Sequence, residues 1–369
     1  MRIDKKYLNK LINNVYKYNN KFNGNELKYV LEYLDYENPE NDANSWTARL
    51  EEAFAQKFGV KYAISHNSGT STLHSCLHAA GVGAGDEVIG PIQTGIWFAF
   101  VCLHQNAVPV YVDSDPDTFN MDPDKIEEAV SSKTKAIFSV PIYGNPCNMD
   151  AILSICEKHN LMLIEDCCES MGATYKGKSV GSFGRVGSFS FYYSHHITTL
   201  EGGICVTDDF DLAEMMRIIR AHGWIRQVED KEKWTKKHPD FDPKFLFVNE
   251  GYNLRITEPQ ASMGLIQIDK LDGFIEKRIS NASNYRSSFS KYSDFFSFQE
   301  TTKDAKNSHF GFPFVVKKNN FFNRDEICKY LNDNGIETRP IIAGNIARQP
   351  ANNLFDHRIS GKLLNSDNI

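Results

Sequence analysis

From about residue 60 to residue 220, short apolar runs alternate with segments whose apolar residues recur at helical spacing. The runs at 61–65 (KYAIS), 86–90 (DEVIG), 108–113 (VPVYVD), 135–140 (KAIFSV), 161–166 (LMLIED), 187–193 (GSFSFYY) and 202–208 (GGICVTD) predict strands. Most are continuous rather than alternating, as expected when both faces of a sheet are covered. Helices are predicted between them at 70–80, 96–106, 122–130, 148–158 and 210–221. This order predicts an α/β fold, a mostly parallel central sheet wrapped by helices.

The rhythm breaks at 227–250, a charged stretch with two prolines, which reads as a long loop that is mobile or closes over a site. Thr257-Glu258-Pro259-Gln260 then forms a capping-box pattern with an early proline. It opens a helix to about Leu271, with a second helix expected across 273–291. A strand at 310–316 and a helix at 324–334 predict a small α+β C-terminal domain. The chain stops at LLNSDNI without an evident closing element, as a truncated C-terminus would. The expected organisation is an N-terminal helical segment (1–45), a large α/β domain (46–255), and connecting helices with the small domain (256–369).

Composition narrows the class. The 369 residues are 41% hydrophobic and 24% charged, ordinary for a globular protein with a large core. A net charge of −6 offers no basic surplus for nucleic acid. No run of about 18 or more apolar residues suggests a membrane span, and the polar N-terminus does not read as a secretory signal. None of the eight cysteines forms a CxxC pair, and adjacent Cys167 and Cys168 suit neither a mutual disulfide nor a tetrahedral metal site. Reduced thiols, no metal and a cytoplasmic location are expected.

Ser68-Gly69-Thr70-Ser71 follows a strand and opens a helix, a place where backbone N–H groups can receive phosphate. Taken alone, such residues are more often a simple cap. Glu165-Asp166 ends an apolar strand, where α/β folds place ligands. A carboxylate there could pair with a heterocyclic nitrogen or simply be solvated. More specific are the segment from Ser188 to Gly203, SFSFYYSHHITTLEGG, and Gly251-Tyr252-Asn253-Leu254-Arg255.

In this order and spacing the motifs resemble those of the DegT/DnrJ-type nucleotide-sugar aminotransferases, from about residue 40 to 345. The resemblance implies the type I pyridoxal-phosphate aminotransferase fold, like that of aspartate aminotransferase. It implies that Gly69, Thr70 and Ser190 hold the cofactor phosphate and that Asp166 pairs with the pyridinium nitrogen. Glu169 stands near the ring hydroxyl where the family usually has glutamine. Asn253 would reach the phosphate in a neighbouring subunit, which implies a homodimer with shared active sites. His222, Arg255 and Arg339 are the implied substrate contacts. The family stacks an aromatic ring a few residues after the proline of a strand end. Counted from Pro91 that place is Gly95, with Trp97 two residues on.

The family's lysine, which links the cofactor covalently, stands six residues before the Glu of the EGG motif. Here that position is His195, and no lysine lies between Lys178 and Lys231. Imidazole cannot make the link but can move protons near neutral pH. The substitution resembles the sugar 3-dehydratases of the family. It implies non-covalent pyridoxal 5′-phosphate and pyridoxamine 5′-phosphate, with L-glutamate as amino donor. The implied substrate is a nucleotide-linked 4-keto-6-deoxyhexose, GDP-linked 4-keto-6-deoxymannose above all. One branch of these dehydratases acts on CDP-sugars with an iron–sulfur cluster held by cysteines between the His and GYN motifs. No cysteine lies between Cys205 and Cys328, so no cluster is expected. The alternatives are a 4-aminotransferase, a CDP-sugar 3-dehydratase, and a non-catalytic sugar-binding regulator on the same scaffold.

Overall fold

The computed structural model describes residues 25–34 and 45–369. In chain order these form α1 (Asn25–Leu34), α2 (Trp46–Phe58), β1 (Tyr62–His66), α3 (Gly69–Ala79), β2 (Glu87–Pro91), α4 (Trp97–His104) and β3 (Val108–Val112). There follow α5 (Pro123–Ala129), β4 (Thr134–Ser139), α6 (Met149–His159), β5 (Met162–Asp166), β6 (Val186–Ser190), β7 (Gly203–Thr207), α7 (Phe210–Arg220) and α8 (Lys231–Lys237). The last are α9 (Glu258–Phe289), β8 (Phe296–Phe298), β9 (Phe314–Val316), α10 (Arg324–Asp333), β10 (Arg358–Ile359) and α11 (Leu364–Asn368). Of the segment expected over 1–45, the stretches 1–24 and 35–44 lie outside the described residues.

The chain divides into two compact units. One takes the chain up to Gly81 and Arg185–Phe274; the other takes Val82–Gly184 and Ile275–Ile369. In the first unit β7 pairs antiparallel with both β1 and β6. Its core is aromatic: Phe54 stacks on Phe58 at 4.3 Å and meets Phe189 edge-on at 5.2 Å. Under this core Arg220 donates to Glu51 Oε1 (2.6 Å) and to the Ser65 carbonyl (2.9 Å), while the Ser65 N–H donates to the same carboxylate. Arg220 is buried and Glu51 partly so, and the pair is well bonded, so losing Glu51 would strand the buried Arg220 charge.

In the second unit the strands run parallel in the order β5-β4-β2-β3-β10. The predicted apolar runs are these strands. Ile89, Val110, Ile137 and Leu163 pack against Ile126 and Ile152 of the covering helices. A further patch of two-residue strands joins 174–175 to 178–179 and to 305–306, and β8 pairs with β9.

Four expectations change. The run at 187–193 stops being strand at Ser190. The stretch 227–250 contains α8, capped by Asp230 accepting from the Lys233 N–H, and a short 3-10 turn at 243–245. The two helices expected around residue 272 are one helix of 32 residues. Buried Ile268, Leu271, Ile275 and Ala282 keep one apolar stripe through Gly273, and that stripe outweighs the glycine's poor propensity. At its start only part of the capping box forms: Thr257 donates through both its N–H and its hydroxyl to Gln260 Oε1. The last helix, α11, docks on buried Asp113. Its carboxylate accepts from the N–H groups of Asn365 and Ser366, each at 2.9 Å.

Two outcomes follow from this packing. Gly273 is exposed, and a Cβ there would meet nothing within 4 Å. Gly273→Ala is expected to raise stability by up to about 1 kcal/mol, read by denaturant unfolding. His66 is fully buried, and burial first, then the Arg220 charge, lowers its pKa from 6.5 to about 3. The unfolded chain therefore binds the extra proton between those values, and the neutral ring's contribution fades as pH falls below about 6.5. Wild type should lose up to about 2 kcal/mol more than His66→Asn between pH 6.5 and 5. Equal pH slopes in the two unfolding series would count against that assignment.

Candidate active site

In the first unit β1 delivers Ser68, which caps α3 by accepting from the Ser71 N–H at 3.0 Å. Gly69 and Thr70 are therefore the first residues of an 11-residue helix, with their N–H groups at its positive end. The start of β7 lies against this helix end. A Cβ on Gly203 would sit 2.7 Å from the Ser68 carbonyl oxygen and 2.9 Å from the Gly69 nitrogen. Gly203 pairs in register with Ser190, so the β6 end and the α3 N-terminus come together. Thr72 Oγ1 and Ser188 Oγ share a hydrogen bond beneath them.

Between β6 and β7 the chain makes a closed loop, 191–202. The Phe191 N–H donates to the Gly202 carbonyl (2.9 Å), and the Thr199 N–H donates to the Phe191 carbonyl (2.9 Å). His195 stands at the tip of this loop, half-buried, with its ring edge-on to Tyr192 at 5.8 Å. Ser190 Oγ accepts from the Tyr192 N–H at 3.2 Å.

The GYN segment is fastened to the same region. The Asn67 N–H donates to the Leu254 carbonyl (2.7 Å), and the His222 N–H donates to the Tyr252 carbonyl (2.8 Å). Gly223 and Gly251 permit this approach, because a Cβ on Gly223 would lie 1.7 Å from the Asn249 oxygen and one on Gly251 2.2 Å from the Gly223 nitrogen. His222 holds a left-handed backbone (φ 65°) beside them. Asn253, Arg255 and His222 are exposed, and Arg255 Nε donates to Asn253 Oδ1 at 3.2 Å.

The second unit places the carboxylates. Successive strand residues face opposite sides, so Glu165 and Asp166 part company. Glu165 is committed to structure: it accepts from the N–H groups of Gly181, Phe183 and Gly184 at 2.8, 2.7 and 2.6 Å. Burial pushes its pKa up while those three donors pull it down. Asp166 is buried too, and it accepts from the Cys168 N–H (3.1 Å) and from the Trp97 indole N–H (3.3 Å). Its pKa is also raised by burial. Glu169 is pushed up to about 7, chiefly by burial and then by the Asp166 charge, and its Oε2 has no hydrogen-bond partner.

Sequence reasoning missed several groups here. Gln93 and Thr94, just past β2, are buried with both amide atoms and the hydroxyl unpartnered. Their only signal was a polar pair after an apolar strand. Tyr143 and Ile342 both adopt left-handed backbone (φ 54° and 45°), and the Ile342 N–H donates to Tyr143 Oη at 2.8 Å. This bond ties the segment carrying Arg339 to the turn after β4. Arg339 itself is exposed and paired with Glu337 at 2.9 Å. Gly69 and Ser190 are thus brought together in the first unit, beside a segment that carries His222 and Asn253. Asp166 and Glu169 are brought together in the second.

Comparison with known proteins gives the family and the fold. A family model described as the DegT/DnrJ/EryC1/StrS aminotransferase family matches residues 22–369. The GDP-4-keto-6-deoxy-D-mannose 3-dehydratase of Yersinia pseudotuberculosis is 38% identical over 345 residues, covering 89% of this chain and 86% of its own. The GDP-perosamine synthase of Caulobacter vibrioides is 36% identical over 321 residues, covering 87% and 82%. A solved structure of the E. coli GDP-4-keto-6-deoxy-D-mannose 3-dehydratase with bound hydrated PLP has a TM-score of 0.88 at 35% identity, covering 95% of this chain and 91% of that one. The α/β fold is accordingly that of the type I pyridoxal-phosphate aminotransferases. With matching motifs, a family model over nearly the whole length and relatives at this identity, the chain belongs to the DegT/DnrJ/EryC1/StrS aminotransferase family.

Proposed function

We propose that this protein is a lyase that uses pyridoxal and pyridoxamine phosphate to remove the C3 hydroxyl of a nucleotide-linked 4-keto-6-deoxyhexose. GDP-4-keto-6-deoxymannose is the proposed substrate and L-glutamate the amino donor. The net reaction turns the sugar and glutamate into the 4-keto-3,6-dideoxy sugar, 2-oxoglutarate and ammonia. One sugar C–O bond is replaced by C–H, and the electron pair comes from oxidation of glutamate at Cα. The observation that carries the reading is His195 at the position of the family's lysine, in a chain that keeps the other cofactor-site residues. The related 3-dehydratase, 38% identical, supports the substrate class.

The residues fit the cofactor on structural grounds. The α3 N-terminus with Gly69, Thr70 and nearby Ser190 is a ready phosphate site. Glu169 Oε2 and the side chains of Gln93 and Thr94 are buried polar groups without partners, which otherwise bear an uncompensated burial cost, and the Asp166 carboxylate is buried close enough for its charge to act on Glu169. When bound, the cofactor supplies an amine for the C4 ketone and a ring that stores electron density. Asp166 keeps a proton on the ring nitrogen. Glu169, titrating near neutrality, shares a proton with the ring hydroxyl. His195 takes the proton at cofactor C4′ and returns one to the departing C3 oxygen. His222, Arg255 and Arg339 serve the substrate. Asn253 reaches the phosphate bound by a second copy, so the working form is a homodimer with shared sites. The exposure of Asn253 and Arg255 in the single chain supports that assignment. No helix of the described residues is long and apolar enough to cross a membrane, and the proposed location is the cytoplasm.

The synthase relative, 36% identical, favours a second reading, a 4-aminotransferase. The two separate on products: ammonia and a 3-deoxy sugar, or an amino sugar without ammonia. With GDP- and CDP-linked substrates offered in parallel, turnover of the GDP-sugar to the 3-deoxy product is expected. His195→Asn should still bind pyridoxal phosphate and lose sugar turnover, since an amide cannot accept the proton. His195→Lys should acquire a cofactor link that borohydride fixes, detectable by mass, whereas wild type should show none at position 195. Dehydration by His195→Asn at the wild-type rate would refute the role of His195. Asp166→Asn should slow glutamate-dependent 2-oxoglutarate formation and sugar turnover together, by about two orders of magnitude or more. Unchanged 2-oxoglutarate formation would remove Asp166 as the ring partner.

A further inference from the structure

The turn after β4 and the segment that carries Arg339 meet through one side chain. Tyr143 Oη accepts from the Ile342 N–H at 2.8 Å and donates to the Pro340 carbonyl at 3.4 Å. Among the described residues, no other group outside 337–349 hydrogen-bonds to residues 339–344. Both ends of this contact are strained. Tyr143 (φ 54°) and Ile342 (φ 45°) hold left-handed backbone, and Ile342 is β-branched. Such a conformation persists only where its surroundings fix it. Around Tyr143 they do. The Phe310 N–H donates to the Tyr143 carbonyl at 2.8 Å, and the two rings lie nearly parallel. Arg278 Nη1 in turn donates to the Phe310 carbonyl at 2.9 Å. Gly311 leaves room for the phenol, since a Cβ there would lie 2.9 Å from its ring. The main-chain N–H of the same tyrosine donates to the Glu169 carboxylate.

The geometry points to Tyr143 as a positioning residue: its phenol fastens the segment carrying Arg339 to the residue that holds Glu169, so that the arginine is in place before the substrate binds. This inference rests on the proposed substrate role of Arg339, but the two hydrogen bonds stand without it. Arg339 is itself exposed and paired with its near neighbour Glu337, so its position depends on how its segment is held. A segment held beforehand loses less freedom on binding, so the hydroxyl acts on substrate affinity more than on the chemical step. The phenol uses both its lone pair and its proton, and phenylalanine keeps the ring and main chain with neither bond.

The test has two arms. The first follows amide hydrogen exchange in the whole chain without substrate. In Tyr143→Phe the Ile342 amide should exchange about two- to tenfold faster, the range one hydrogen bond accounts for, while β4 and α6 keep their wild-type rates. Equal exchange at Ile342, or an equal rise in β4, would overturn the fastening. The second arm measures sugar turnover by wild type, Tyr143→Phe, Arg339→Ala and the double variant. Tyr143→Phe should raise the sugar KM about two- to tenfold with kcat nearly kept. In the Arg339→Ala background that rise should shrink to less than about twofold, because no arginine is left to place. A full rise there would overturn the route through Arg339, as would a fall in kcat at unchanged KM. An unchanged KM in Arg339→Ala would remove the arginine from the proposed function and the positioning role with it. Should wild type turn over none of the sugars offered, the proposed function falls and takes that role along, while the first arm still decides the bonds to Tyr143.

Discussion

The approach of β7 to the α3 N-terminus is the constraint on which the first unit's chemistry depends. At Gly203 two backbones come closer than any side chain allows, with Ser68 and Gly69 on the other side. A larger residue would have to push strand from helix, and Ser190 would move with the strand because it is Gly203's partner. The same device recurs at Gly223 and Gly251, where HGW and GYN lie backbone to backbone. Glycines that look like punctuation in the sequence are therefore contact points. They let main chains meet where a Cβ would force them apart, and the meeting at Gly203 lies at the proposed phosphate site.

The second unit works by withholding partners. Neighbouring carboxylates on β5 have opposite fates because a strand alternates its faces. Three main-chain donors engage Glu165, and it holds the turn at 181–184. Asp166, Glu169, Gln93 and Thr94 share a depth of burial that normally demands full pairing, yet several of their atoms have none. Such a shortage is costly unless a ligand supplies the missing bonds. In the proposed function the ring nitrogen and ring hydroxyl of the cofactor are the partners for Asp166 and Glu169.

Much of this was legible beforehand. The parallel strands could be read because a strand covered on both faces is a continuous apolar run, as at VPVYVD. His195 could be read because it interrupts a motif at a fixed distance from the EGG glycines. What escaped reading depended on tertiary partners. Gly273 looks like a helix end until Leu271 and Ile275 are seen buried on either side of it. LLNSDNI carries no packing signal of its own, and its place depends on Asp113, which accepts from the Asn365 and Ser366 N–H groups. Gln93, Thr94 and Tyr143 are ordinary loop residues in the sequence. Only burial without partners, or a left-handed backbone bonded to another, marks them.

Reach separates the proposed dehydration from transamination more than proton affinity does. A lysine amine rides on four methylene groups and can serve two positions in turn. An imidazole turns about two bonds, and His195 sits on a loop pinned at Phe191, Thr199 and Gly202. Its ring also meets Tyr192 edge-on, which narrows its motion further. A base so held can take a proton at one atom and return it to a neighbouring leaving oxygen. It is poorly placed to carry that proton on to the sugar carbon that transamination must protonate. In the proposed reaction the loop around His195 is therefore as much a determinant of outcome as the missing amine. Restoring a lysine would restore the covalent link more readily than it would restore a balanced transamination.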